Sequence, residues 1–308
     1  MTLTHKVTAE AILFVAATIV VGLRFHARRK MKVGLKADDW LSLAAWVLLT
    51  AHMACLFWGE YNYLQIRRVD ADRAAAADQN LSAANMVKMK LPQILQLLKL
   101  MFVNIYLMTI IITLCRLSII VLYHRIFGVY DGFRRALWVM AALSMGWVIA
   151  MIFLNTFRCK PIALAYNPRV KGKCLNLNTL FVWSESINCA LDLALVLLPL
   201  WRISFLHLSI RDRVGLSLVF LTGGFVCITS VLRIVFTYNL DSVQSAFWLS
   251  LQLSFAVICS CLPTLRSYLP KHIPTPTTIS SYIRSAVLKR SAQRSEESLE
   301  DEVKDLNR

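Results

Sequence analysis

The chain has 308 residues, 57% of them hydrophobic and only 17% charged, with a mean hydropathy of +0.56. Soluble domains run roughly 45–50% apolar and about 25% charged. The composition therefore excludes two ordinary soluble domains, which the length alone would allow, and disorder over most of the chain. With 10 Gly and 8 Pro it also excludes collagen-like or low-complexity sequence. The 34 Lys and Arg against 18 Asp and Glu give a net charge of +16. The basic residues lie between apolar runs, a pattern that points to lipid headgroups and membrane orientation and away from nucleic acid.

A hydrocarbon core about 30 Å thick takes about 20 apolar helical residues to cross. Seven stretches qualify, predicting an all-α polytopic membrane protein with spans near 9–25, 40–59, 100–122, 136–157, 178–201, 214–236 and 242–265. The first, centred on Ala11–Leu23, is the shortest. A signal peptide would carry its basic residues ahead of the apolar stretch. Here only Lys6 precedes it, whereas Arg24, Arg28, Arg29, Lys30 and Lys32 follow without a small-residue cleavage motif, so a retained helix is expected. The second span carries only His52, expected to be a packed, hydrogen-bonded imidazole. The third carries Arg116, the fifth Glu185 and Asp192, the sixth Arg233, and the fourth and seventh no charge. Trp40, Trp58, Trp183, Trp201 and Trp248 fall at or near span ends, as interfacial anchors do. Beyond Leu269, Pro270, Pro274 and Pro276 end the last helix, and a tail over 270–308, rich in Ser, Arg and Glu, is expected to be cytoplasmic and disordered.

Orientation follows from where Lys and Arg fall. With the N-terminus outside and the C-terminus inside, the inner segments hold 20 and the outer segments 12. Two other features agree. Asn80-Leu81-Ser82, a glycosylation sequon, lies in the long outer loop. Cys159 and Cys174, the cysteines outside the spans, share the next outer loop, where the compartment permits disulfides. The other six cysteines lie in apolar helices as small packing residues, and no spacing among them suggests a metal site.

Ionisable groups inside a span cost about 2.5–3.5 kcal/mol each on insertion scales, so each calls for a partner or a function. Glu185, Asn188 and Asp192, spaced i, i+3, i+7, share one stripe of the fifth helix. The third and fifth helices run inward, which sets Arg116 and Asp192 at one depth; the sixth runs outward, which lifts Arg233 to the level of Glu185. The pairs expected are Asp192 with Arg116 and Glu185 with Arg233, facing the bundle interior. They serve either as struts between helices or as the lining of a polar cavity that binds a small molecule, in which Glu185 or Asp192 is the candidate acid.

At these residues the chain resembles the fungal rhodopsin-like integral membrane family, the membrane proteins of satratoxin-type gene clusters. The resemblance runs over about residues 9–270. Asp38-Asp39-Trp40 is similar to the family's DDW, and Arg116-Leu117-Ser118 through Tyr123-His124-Arg125-Ile126-Phe127 to K-x-S…YxRIF. Phe157-Arg158-Cys159-Lys160-Pro161 with Cys174 is similar to FxCxP…C, which implies a Cys159–Cys174 disulfide. Asn188, Asp192 and Pro199 match NxxxD…LP, Ser230 and Arg233 match SxxR, and Cys261-Leu262-Pro263-Thr264-Leu265-Arg266 matches CLPTLR. Three positions depart: Gly59-Glu60-Tyr61-Asn62 stands where GxGxH is common, Gln252 where a glutamate is frequent, and Arg116 where a lysine is usual. Despite the family's name no retinal cofactor is expected, because a Schiff base needs a lysine amine and the seventh span, Ser242–Leu265, has none.

The resemblance implies a multi-pass membrane component, in the plasma membrane or endoplasmic reticulum, of a fungal secondary-metabolite pathway. Its expected partners are the bilayer and a small apolar molecule. A seven-helix surface receptor for a small ligand, and a membrane-embedded cyclase or isomerase using a buried carboxyl, are the alternatives. Arg116, Glu185, Asn188, Asp192, Arg233 and Gln252 are the candidate cavity or network residues under all three.

Overall fold

The structure is a computed structural model that describes residues 3–30, 32, 34–75, 83–128, 130–165, 170–203, 210–238 and 242–265. The sequon at Asn80 and the tail at 270–308 lie outside them. The described residues form seven α-helices: α1 (Leu3–Lys30), α2 (Ala37–Ala75), α3 (Ala83–Phe127), α4 (Asp131–Phe157), α5 (Leu177–Ile203), α6 (Ile210–Tyr238) and α7 (Ser242–Leu265). Between α4 and α5, two short antiparallel strands, β1 (Cys159–Lys160) and β2 (Lys173–Cys174), set Cys159 opposite Cys174. The two cysteines form a disulfide there.

Five helices are long and apolar enough to cross a bilayer: His5–Lys30, Ala37–Asn62, Leu95–Arg125, Asp131–Phe157 and Thr179–Pro199. α6 and α7 contribute shorter apolar stretches, Gly223–Phe236 and Ala246–Leu262, among the described residues. Each of the seven apolar stretches falls on a helix, but α2 runs well past 59 and α3 starts well before 100. The segments beyond the apolar windows are rich in Ala, Leu, Gln, Lys and Arg, which continue a helix at little cost. Most of the expected long loop is therefore helix.

The apolar and polar residues are distributed as lipid requires. Outward faces carry Ile12, Val15 and Ile19 on α1, Trp138, Ile149 and Phe153 on α4, and Ile228, Val231 and Val235 on α6, all exposed. Within the apolar windows the charged side chains Arg116 and Glu185, and Arg233 on α6, lie inside the bundle. A surface this apolar over so many turns is at home only in hydrocarbon. This is the arrangement of a multi-pass membrane protein.

α3 and α7 form the centre. The main core joins Ala17 and Val21 of α1, Leu49 and Met53 of α2, Ile111 and Cys115 of α3, and Leu253 and Val257 of α7. A second core joins Ile119 and Tyr123 of α3 to Leu137 and Met140 of α4, Leu195 of α5 and Cys259 of α7. Within its apolar window α3 is 56% buried, against 22–33% for the other four long spans. Polar groups on α3 and α7 are thus the ones that meet partners from every side.

The turn from α1 to α2 shows how charge placement follows from helix polarity. α1 ends in Arg28, Arg29 and Lys30, and α2 begins with Asp38 and Asp39 in its first turn, each sign opposite to the dipole end it occupies. The Asp39 carboxylate accepts the backbone N–H of Lys36 at 3.1 Å, capping α2. The short connection brings the cationic end of α1 against the anionic start of α2.

Candidate functional site

Among the described residues, two buried clusters of ion pairs lie in the bundle. The deeper one holds the residues expected from the helix stripes. Arg116 Nε on α3 lies 2.8 Å from Asp192 Oδ1 on α5, and Arg233 Nη1 on α6 lies 3.0 Å from Glu185 Oε2 on α5. The structure brings both expected pairs together and then joins them. Arg116 Nη2 donates to the Asn188 carbonyl at 2.8 Å and to the Asn188 side-chain oxygen. Asn188 Nδ2 donates to Glu185 Oε1 at 3.2 Å. Gln252 of α7 closes the far side, accepting from Arg233 Nη1 at 3.0 Å and donating to Glu185 Oε1 at 3.2 Å and Ser230 Oγ at 2.9 Å. One connected chain of ion pairs and amides thus links α3, α5, α6 and α7.

The one-stripe spacing of Glu185, Asn188 and Asp192 makes this possible, because α5 presents all three to the interior over two turns. Glu185 and Asn188 are buried, as are Arg116, Arg233 and Gln252, whereas Asp192 keeps 14% of its side chain exposed. Two arginines against two carboxylates leave the chain electrically neutral, the condition under which buried charge is tolerated. Gln252, a departure from the family pattern, suits this balance: an amide supplies an acceptor for Arg233 and a donor for Glu185 without adding a third negative charge.

Three participants were not legible in the sequence as part of this group. The Arg116 guanidinium lies over the Trp147 ring of α4 at 5.2 Å and the Arg233 guanidinium over the Phe181 ring of α5 at 5.1 Å, contacts that hold a buried cation by its face. Ser230 accepts from Gln252. An SxxR spacing places Ser230 and Arg233 on one helix face, which is the signal that could have found it.

Beside Asp192 a cavity of about 40 Å³ opens between α3, α5, α6 and α7. Its walls are mainly apolar, including Ile112, Ile119, Leu195 and Val226, with Arg116, Asp192 and Gln252 contributing polar groups. As members of ion pairs, Glu185 and Asp192 act here as acceptors. The site is therefore suited to holding a hydrogen-bond donor against an apolar wall. Among the described residues no three His, Cys, Asp or Glu side chains gather as metal ligands.

The second cluster was missed. Arg24, Arg28, Asp38 and Asp39 are all buried. Arg24 Nη2 and Arg28 Nη2 meet Asp38 Oδ2 at 2.7 and 2.6 Å, and Arg24 Nε meets Asp39 Oδ1 at 2.8 Å. Arg24 Nη1 also donates to the Ser260 carbonyl of α7 at 2.7 Å, and Ser118 Oγ of α3 donates to the Asp38 carbonyl at 2.9 Å. In the sequence Arg24 and Arg28 are two of the inner-segment Lys and Arg residues that set the expected orientation. Their i, i+4 spacing opposite the adjacent Asp38-Asp39 pair was the available signal. His52 is fully buried, as expected of a packed imidazole, and faces the Asn104 side chain.

Comparison with known proteins adds the family context. The family model described as the fungal rhodopsin domain matches residues 23–271. The satratoxin biosynthesis SC1 cluster protein 4 of Stachybotrys chartarum is 34% identical over 52% of this chain and 60% of its own length. The wortmanamides biosynthesis cluster protein C of Talaromyces wortmannii is 30% identical over 50% of this chain and 44% of its own. The receptor GIN3 of Arthrobotrys oligospora is 23% identical over 87% of this chain and 64% of its own. The chain thus spans about half the length of the biosynthetic-cluster relatives it matches. No solved structure matches it.

Proposed function

The chain belongs to the fungal rhodopsin domain family, and from that premise we propose that it is a seven-span membrane component of a fungal secondary-metabolite pathway that binds a small apolar molecule beside Asp192. In this reading the N-terminus is outside and the tail cytoplasmic, as the Lys and Arg distribution favours. The relatives from satratoxin and wortmanamide clusters support the pathway context. The observation that carries the binding role is the neutral polar chain ending at a part-exposed Asp192 on an apolar cavity. Struts alone would need no such cavity. No covalent chromophore is assigned, since α7 has no lysine amine.

The test is deletion of the gene followed by metabolite profiling, with complementation by wild type and by Asp192→Asn. Loss or build-up of a pathway compound, restored by wild type but not by Asp192→Asn, is the expected result. An unchanged profile overturns the pathway role. Epitope tags at the two termini, probed by protease on sealed cells, test the orientation: a tail tag cleaved from outside refutes it.

A receptor is the second reading, favoured by the alignment with GIN3 over 87% of the chain. An unchanged metabolite profile together with an altered response to an external small molecule selects it.

A further inference from the structure

Arg116 Nη1 and Arg233 Nε of the polar chain are buried without a partner among the described residues, and its acceptors differ in one place. Gln252 gives its oxygen to Arg233 and its amide to Glu185 and Ser230. Asn188 gives its amide to Glu185 and its oxygens to Arg116. Glu185 accepts at Oε1 from two amides and at Oε2 from Arg233. Asp192 accepts Arg116 Nε at Oδ1, and its Oδ2 has no partner among the described residues. Asp192 is also the acid of the pair that remains part-exposed, and it lines the cavity.

Resting on the binding role set out above, we propose that the cavity takes an uncharged lipophile bearing a hydroxyl group, which donates to the free carboxylate oxygen of Asp192. Charge balance selects the class. Arg116 and Arg233 are matched in charge by Asp192 and Glu185, so a carboxylate ligand, even one accepting from Arg116 Nη1, would add an unmatched negative charge beside Asp192. An ammonium ligand would add an unmatched positive charge to a neutral group in low dielectric. A hydrocarbon would pair neither Arg116 Nη1 nor Asp192 Oδ2, and a plain ketone would give an acceptor to Arg116 but leave Asp192 Oδ2 sealed from water unpaired, whereas a hydroxyl both accepts and donates. A hydroxyl donates one charge-assisted hydrogen bond and leaves the balance at zero.

Size decides how much of the molecule enters. A cavity of about 40 Å³ has room for about three waters at roughly 10–15 Å³ each. It accepts the hydroxyl-bearing end of a larger molecule. Asp192, Val196 and Ala256 are the part-exposed residues among its lining, so the remainder lies along the outer surface of the bundle at that level.

The experiment uses the full chain in lipid nanodiscs, with 1-decanol, decanoic acid, decylamine and decane as probes at matched concentrations. The readout is the thermal unfolding midpoint followed by tryptophan fluorescence. 1-Decanol is expected to raise the midpoint saturably, and the other three are not. Ala256→Leu, which fills the cavity without touching the ion pairs, removes the decanol shift. Asp192→Asn, which offers a neutral acceptor, weakens the apparent affinity about tenfold. A shift of equal size in Ala256→Leu marks a bilayer effect and overturns the proposal. So does an equal, cavity-dependent shift with decanoic acid or decylamine. Neither result touches the pathway role, which falls only if deletion leaves the metabolites unchanged.

Discussion

Arg24→Met tests the cluster that ties α1 to α2, α3 and α7. In the native chain Arg24 is fully buried and makes three short contacts, 2.7 Å to Asp38, 2.8 Å to Asp39 and 2.7 Å to the Ser260 carbonyl. Methionine keeps much of the stem and removes the charge. Two carboxylates, each 1% exposed, are then left with Arg28 alone. Removing one partner of a buried ion pair costs about 3–5 kcal/mol, a large share of a typical folding free energy of about 5–15 kcal/mol. Arg29→Met, on an exposed neighbour in the same turn, should stay within about 0.5 kcal/mol. The assay is equilibrium unfolding of the full chain by SDS in mixed micelles, followed by tryptophan fluorescence. Adding Asp39→Asn to Arg24→Met restores one cation for one anion, so the double variant should be more stable than the sum of the singles by about 1–3 kcal/mol. If Arg24→Met costs no more than Arg29→Met, or the two changes simply add, the cluster is not the electrostatic tie described.

Three other perturbations probe separate parts of the molecule. Gln252→Leu leaves Arg233, Glu185 and Ser230 each short of a partner, at about 1–3 kcal/mol per group left unpaired; a midpoint within error of wild type in the same unfolding assay contradicts the network. Gly223→Ala places a Cβ 2.4 Å from Val196 Cγ2, so Val196 must leave its rotamer or α5 and α6 must move apart, at about 1–3 kcal/mol; Val196→Ala should rescue it, and failure to do so shows that the contact is not the cause. Reduction of the Cys159–Cys174 disulfide, or Cys159→Ser with Cys174→Ser, releases a loop of 15 residues and should cost about 3 kcal/mol; identical unfolding with and without reductant refutes it.

The two polar clusters divide the work by depth and composition. In the Arg24 cluster both arginines and both aspartates bond to one another, to Ser260 and to the Lys36 N–H that starts α2. It acts as a tie between α1, α2 and α7. The Arg116 cluster has the same charge count but ends in a half-used, part-exposed carboxylate on a cavity. The two clusters differ in what adjoins them: the Arg116 cluster has a part-exposed carboxylate on a cavity, and the Arg24 cluster joins helix ends.

Much of this was readable along the chain, because a bilayer imposes a length and a hydropathy on every crossing and a cost on every buried charge. Those constraints act locally. They located the apolar windows, the Glu185–Asn188–Asp192 stripe and the depth matching that pairs Arg116 with Asp192 and Arg233 with Glu185. Helix continuation beyond the apolar windows was not legible, since 60–75 and 83–99 are polar enough to resemble a loop while being good helix formers.

Partnership across helices belonged to the tertiary structure alone. Arg24 and Arg28 look identical in sequence to the exposed Arg29 beside them, and only the packing of α1 against α2 and α7 turns two of the three inward. Gln252 read as a departure until its contacts showed an amide balancing a charge on either side. Hydropathy is a property of one helix, whereas the satisfaction of a buried polar atom depends on what the neighbouring helices present to it, and that is decided when they assemble.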